Sequence, residues 1–261
     1  MPVELPEDRG RLADDSTTGA GRTVAEAMLG CWRRDWIRYD DERIDDTSVV
    51  IWLQTHSAMA DLRLDAAADA LGRSGAVRSI AECSLDELLV LAGSESSTGH
   101  TVAHPLDGSG EVTATWHTGQ SGIEYQPTSA YPEAGLLTWD GTGEVMTERA
   151  PSGAYVEQWR LLPGSRTPLR SVVTVRDGRR HGIYRAGDHL IVVRERGIDV
   201  SPWASIQELV ASAPRSLAEA AVDCELSYAT CTDGDVFTIV HSTQPWRVGE
   251  IVETAELKDE S

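Results

Sequence analysis

Glu157 stands in the run Tyr155-Val156-Glu157-Gln158-Trp159-Arg160, where strict alternation places Tyr155, Glu157 and Trp159 on one face of an extended strand. A carboxyl held between two aromatic rings is poorly solvated, which raises its proton affinity toward the range a general acid or base needs near neutrality. The same surroundings also suit a buried ion pair, with Arg149 or Arg170 as the guanidinium partner. A second run, Trp52-Leu53-Gln54-Thr55-His56, sets Trp52, Gln54 and His56 on one face and Leu53 and Thr55, with Ile51, on the other. His56 is then a partner base for Glu157, an axial haem ligand or a hydrogen-bonded rim histidine. Glu157 and His56 are therefore the candidates for chemistry. Two barrel strands that each alternate aromatic and polar residues should point Trp52, Gln54, His56, Tyr155, Glu157 and Trp159 at one interior. Trp116 and Trp139 extend this into an aromatic wall, or else serve as barrel-closing core, and Arg149 is a further ligand contact.

Such residues need a scaffold, and composition narrows it. The chain has 261 residues, 41% hydrophobic, enough to bury a sizeable core. Its net charge of −19 repels phosphate backbones and anionic lipid surfaces, so nucleic acid and membrane are poor partners. A single lysine, Lys258, lies in the polar C-terminal tail, leaving no plausible site for a Schiff base, a pyridoxal phosphate anchor or a P-loop. Cys31, Cys83, Cys224 and Cys231 lack C-x-x-C spacing and read as free, mostly buried thiols. His100 and His104, four residues apart on a strand, stand about 13 Å apart, too far for one metal ion. His117, His181 and His189 read as structural or surface residues, so neither metal nor cofactor is expected. Gly119-Gln120-Ser121-Gly122 lacks the last glycine of a hydrolase elbow. No apolar segment resembles a leader or a membrane span, and a cytoplasmic location is the default expectation.

The elements that would position the site are mainly strands. Residues 1–21 read as a disordered polar arm, 22–163 as an N-terminal barrel and 166–254 as a smaller barrel-like half. Asp140-Gly141-Thr142-Gly143, Asp177-Gly178 and Ala186-Gly187-Asp188 are turn signals between strands. Helices are expected mainly over 79–93, opened by the capping box Ser84-Leu85-Asp86-Glu87, and over 205–221, divided at Pro214. Roughly a dozen strands exceed what one eight-stranded barrel needs, so the fold class is all-β, mainly antiparallel, with two fused barrel-like halves.

Gly30-Cys31-Trp32 resembles the G-x-W signature of the calycin (lipocalin-like) superfamily, in which the tryptophan closes the barrel base under a late arginine. That resemblance offers Arg247 or Arg160 for the arginine. Trp52-Leu53-x-Thr55, Glu111-Val112-x-x-Thr115-Trp116, Ser121-Gly122, Glu157-x-Trp159 and Arg170-Ser171-Val172-Val173 also follow an order similar to the fungal HRI family of two-domain lipocalin-like proteins. It spans about residues 48 to 196 and implies a fold and a binding role, with no catalytic residues to carry over. The alanine-rich insertion at 65–93 and the lack of a second G-x-W depart from it.

Three functions are compatible with this sequence. The first is binding of a small apolar or aromatic molecule in the N-terminal barrel. The second is a cofactor-independent lyase, isomerase or hydratase in which Glu157 moves a proton while His56, Tyr155 or Arg149 stabilises charge. The third is a protein-interaction module whose barrels are filled by side chains, with a homodimer as one arrangement.

Overall fold

The computed structural model describes residues 24–106, 110–118, 122–128 and 133–254. The expected disordered arm at 1–21 lies outside them, as do Gly119, Gln120 and Ser121 of the elbow-like run. Strands β1 (Gly30–Tyr39), β2 (Ile44–Asp45), β3 (Val49–Gln54) and β4 (Met59–Leu64) lead into helices α1 (Ala66–Ser74) and α2 (Leu85–Leu91). The chain then continues through β5 (Ser97–Pro105), β6 (Val112–His117), β7 (Gly135–Trp139), β8 (Val145–Arg149) and β9 (Tyr155–Leu161). Every neighbouring pair is antiparallel, and β1 pairs with β9, so β1 and β3–β9 form a closed eight-stranded barrel flanked by the short β2. Closure is specific in register: Trp32 faces Leu161, Arg34 faces Trp159 and Tyr39 faces Tyr155.

One irregularity decides what enters the barrel. The β1–β9 register slips between Arg34 and Trp36, a bulge that resets the alternation. Arg34, Ile37 and Tyr39 consequently all face the interior, whereas Trp36 does not line it. Gly30, at φ 125°, enters the barrel where a Cβ would stand 2.9 Å from Leu161 Cδ1, which accounts for the glycine of the G-x-W run. Trp32 is fully buried at the base and its indole N–H donates to the Met28 carbonyl at 2.8 Å. Among the described residues, neither Arg247 nor Arg160, the arginines the resemblance offers, has a hydrogen bond or ion pair at the base. Arg166 donates to the Leu29 carbonyl at 2.8 Å, while Arg160 pairs outside the barrel with Asp35 and Arg247 pairs with Glu225 in the second sheet.

That second sheet runs β10 (Leu169–Arg176), β11 (Arg179–Ala186), β12 (His189–Arg194), β13 (Glu225–Asp233), β14 (Val236–Ser242) and β15 (Ile251–Glu253) in sequence order. It curls into a half-barrel and does not close, since β10 and β15 do not pair with each other. Asp177 and Gly178 both have positive φ, the requirement of a tight two-residue hairpin between β10 and β11. Helices α3 (Ile206–Ser212) and α4 (Arg215–Val222) bridge β12 and β13.

The helices begin where their caps dictate. Ser84 and Glu87 form the reciprocal capping box of α2, with the Ser84 N–H donating to Glu87 at 2.6 Å. Helix α1 begins earlier than the expected helical span because the Asp65 carboxylate accepts from the Ala68 N–H at 2.7 Å, and it ends at Gly75 in the left-handed region. The expected strand at 122–126 reduces to one bridge between Ser97 and Glu124. Ile51, Leu53 and Leu62 on the outer faces of β3 and β4, with Leu64 at the end of β4 beside the barrel mouth, pack with the helices and with Ile191, Val193 and Leu226 of the second sheet in one continuous core. Both faces of β3 are therefore buried, one toward this shared core and one toward the barrel interior.

Candidate functional site

The barrel interior divides into two halves along its axis. Toward the base, Trp32, Trp52, Trp159, Met59, Met146 and Leu137 pack as an apolar cluster, with Trp116 and Trp139 against it. Trp52 meets Trp116 and Trp159 edge-on, with ring centroids 6.3 and 6.2 Å apart. The indole N–H groups of Trp52, Trp139 and Trp159 are buried without a hydrogen-bond partner. Among the described residues these side chains pack against one another, so the tryptophans form a floor rather than an open wall.

The other half opens to solvent through a cavity of about 460 Å³. Ile37, Val50 and Leu64 supply apolar wall; Arg34, Arg63, Glu148, Tyr155 and Glu157 supply polar groups. Glu157 is 3% exposed, and Arg34, 8% exposed, donates to it at 2.9 Å and to Asp45 at 3.1 Å. The ion-pair partner is thus Arg34, not Arg149 or Arg170. Directly across from Glu157 on β8 lies Glu148, 6% exposed, which accepts the Tyr155 hydroxyl at 2.9 Å. Burial and then the neighbouring Glu157 charge push the Glu148 carboxyl up to about 8. Burial, followed by Glu148, raises the Tyr155 phenol. Below them, Arg63 donates to the buried Asp61 at 2.7 Å.

The seat of Glu148 depends on Gly135, over which Glu148 and Trp116 pack closely. A Cβ there would lie 2.6 Å from the Trp116 ring and 2.9 Å from Glu148 Oε1, so any side chain at this inward position would push into both. At the mouth, Asp45 is held below the ordinary carboxylate range: burial opposes its ionisation, but hydrogen bonds from Ser48 and Thr47 outweigh it. The helical insertion leaves and re-enters the barrel beside this mouth, through Asp65 and through Gly93 and Glu95.

Of the residues expected to share one cavity, Tyr155 and Glu157 line the open half, and Trp52 and Trp159 form the floor beneath. Gln54 and His56 lie at the other end. β3 and β9 both run antiparallel to β1 and are therefore parallel to each other, and Trp52 and Trp159 sit side by side. Gln54, two residues after Trp52, and Glu157, two before Trp159, must then point toward opposite ends. Gln54 is fully buried at the base, donating to Thr55 and Ala58 carbonyls at 2.7 and 3.1 Å and accepting from Thr101 at 2.6 Å. His56 is exposed in the turn that follows β3 and does not meet Glu157. Arg149 is on the outside of the barrel, paired with Glu111. Alternation fixes the face of a strand; it does not fix the height, which depends on register.

Glu148, Arg34, Asp61 and Arg63 were not singled out from sequence. Glu148 had a usable signal: Met146 and Glu148 alternate as Trp159 and Glu157 do, and a short turn joins β8 to β9. Arg34 had none, because only the bulge brings it and Ile37 to one face.

The histidines do not gather. His100 and His117 stack across β5 and β6 at 5.1 Å, while His189 bonds Tyr228 at 2.7 Å and the Pro163 carbonyl at 2.8 Å. Among the described residues no group of three metal-ligating side chains occurs, and no helix is long and apolar enough to cross a membrane. No protein-family model, no curated protein and no solved structure matches this chain.

Proposed function

We propose that the protein binds a small polar molecule in the open half of its barrel, in the manner of calycin-like proteins. One observation carries this reading: a cavity of about 460 Å³, within the usual range for small-molecule sites, is floored by the buried Arg34–Glu157 pair and Glu148. An eight-stranded barrel can be filled entirely by side chains. Apolar residues would stabilise the upper half at least as well as a buried charged network does. Retaining charge beside an opening is the pattern of a binding site. The aromatic wall expected for the ligand gives way to charged groups beside a small aliphatic wall, because the tryptophans are consumed by packing. The interaction-module reading describes only the basal half. Three fully or nearly fully buried free cysteines fit the reducing cytoplasm proposed for the protein.

Native mass spectrometry of protein purified without denaturation tests the reading. The wild type should carry or capture a small molecule, and Gly135→Val, whose side chain would displace the Trp116 ring and the Glu148 carboxyl beside the cavity, should lose it while remaining folded by circular dichroism. An adduct unchanged in a folded Gly135→Val protein would defeat the proposal.

A second reading, acid–base catalysis in the same cavity, is favoured by the cross-strand placement of Glu148 and Glu157. Two adjacent carboxyls in unequal surroundings, one facing a guanidinium and one a phenol, can divide the roles of base and acid. Under it, Glu157→Gln would lower turnover by about two to four orders of magnitude with little change in affinity.

A further inference from the structure

The charge count in the open half of the barrel, taken with the binding reading on which it rests, singles out a class of ligand. Asp61 takes the Arg63 guanidinium at 2.7 Å, and Glu157 and Asp45 share Arg34 at 2.9 and 3.1 Å. Asp45 lies at the mouth, where Thr47 and Ser48 also donate to it. No guanidinium pairs directly with Glu148; Arg63, taken by Asp61, acts on it only at longer range. It is 6% exposed, its hydrogen-bond donor is the neutral Tyr155 hydroxyl, and its cross-strand neighbour is another carboxylate. A carboxylate this deep is not held without a counter-charge, so in the empty barrel Glu148 keeps its proton. The cavity lies directly against it.

We propose that the ligand is a small organic cation, an ammonium or amidinium on an apolar body, which binds against Glu148 in exchange for its proton. The ligand enters already charged; the Glu148 O–H bond breaks, its electron pair stays on the carboxylate, and the proton passes to solvent. No electron changes hands. The apolar body is called for by Ile37, Val50 and Leu64, and by a volume far larger than a bare ion fills. Net charge works in the same direction, since −19 draws cations toward the mouth. The proton affinity that burial gives Glu148 means the exchange occurs near neutral pH.

Titration calorimetry of the full chain with 2-phenylethylammonium, neutral 2-phenylacetamide and anionic phenylacetate, each in phosphate and in HEPES, tests the exchange. Only the ammonium should bind. Its heat should differ between the buffers by the ionisation of nearly one proton at pH 7, and its affinity should rise by up to about tenfold per pH unit toward pH 8 and then level off. Glu148→Gln, which keeps shape and the contact with Tyr155, should abolish the buffer difference and weaken the ammonium at least about tenfold. If the neutral amide binds as tightly as the ammonium, or the ammonium binds without releasing a proton, the cation assignment is wrong although the cavity is a binding site. Silence from all three probes also overturns the assignment, whereas the Gly135→Val adduct experiment decides the binding reading separately.

Discussion

The barrel and the half-barrel are built from the same kind of antiparallel meander, and each holds a cavity of similar size, about 460 and 480 Å³. Their charges differ in sign. The barrel cavity is lined by more carboxyls than guanidiniums, whereas Arg176, Arg194 and Arg247 outnumber Glu225 in the half-barrel groove. Closure makes the larger difference. Inside the barrel, Arg34 and Glu157 are 7% and 3% exposed in their side chains; in the half-barrel, Arg194 and Asp223 are 25% and 28% exposed. Similar ion pairs therefore stand in different dielectric surroundings. A closed sheet withholds water and forces each charge to find a protein or ligand partner, while an open one lets solvent complete the shell.

The sharpest way to break that comparison is to remove one guanidinium from each region. Arg34→Met leaves Glu157 buried without its cation and should destabilise the protein by about 3–5 kcal/mol at pH 7. Arg194→Met removes partly solvated contacts to Asp223 at 2.8 Å and Glu225 at 3.7 Å, and the loss should be about 1 kcal/mol after allowing for solvent screening. Urea unfolding of both variants checks the ranking. Equal losses would mean that closure does not isolate the barrel pair.

A pH series sharpens the same contrast, because the two regions should respond in opposite directions. Glu148 has a folded value of about 8 against an ordinary 4.5, so the native state binds the proton more tightly than the unfolded chain. Its contribution is fully present below the ordinary value and is lost as pH rises from about 4.5 through about 8. Asp223 is displaced the other way: burial opposes ionisation, but hydrogen bonds and charge from Arg194 and Arg179 prevail and lower it below 3.8. Its contribution is present above that value and is lost as pH falls below it. Glu148→Gln should flatten the decline on the alkaline side, and Asp223→Asn the decline on the acid side, each leaving the other limb in place. Chemical denaturation across pH 3 to pH 9 would show whether the limbs separate.

The two regions also differ in how far they can be read from sequence. Strands, turns and capping boxes depend on neighbours a few residues apart, so Asp177-Gly178, Asp140-Gly141 and Ser84-x-x-Glu87 announce their structures directly. The inward aromatic faces of β3 and β9 are likewise carried by alternation, whereas the place of Trp32 at the base is implied only by the G-x-W resemblance. The site is less legible, because it depends on register between strands far apart in the chain. Tyr155 and Glu157 were recognisable from their own strand. The pairing of Glu157 with Arg34 spans 123 residues and passes through a bulge with no local signature. Gln54 and His56 share the face of Trp52 yet sit at the wrong height, an error that alternation alone cannot correct. Whether the second half closes is illegible for a similar reason: nothing in β10 or β15 alone states whether a partner strand is available.

The smallest expected effect concerns Arg149, which separates the outside of the barrel from its inside. It follows Glu148 on β8, so the pleat turns it outward, where its side chain is 49% exposed and pairs with Glu111. Exposed pairs of this kind contribute about 0–1 kcal/mol, since solvent screens both charges and ordering two long side chains opposes the attraction. Arg149→Ala should therefore shift unfolding by less than about 1 kcal/mol and leave 2-phenylethylammonium binding unchanged within about twofold. Its neighbour supplies the control, because Glu148→Gln one residue away should remove proton release altogether. A loss of cation affinity in Arg149→Ala comparable to that in Glu148→Gln would show that binding takes place on the outer face of β8, and would move the site out of the barrel.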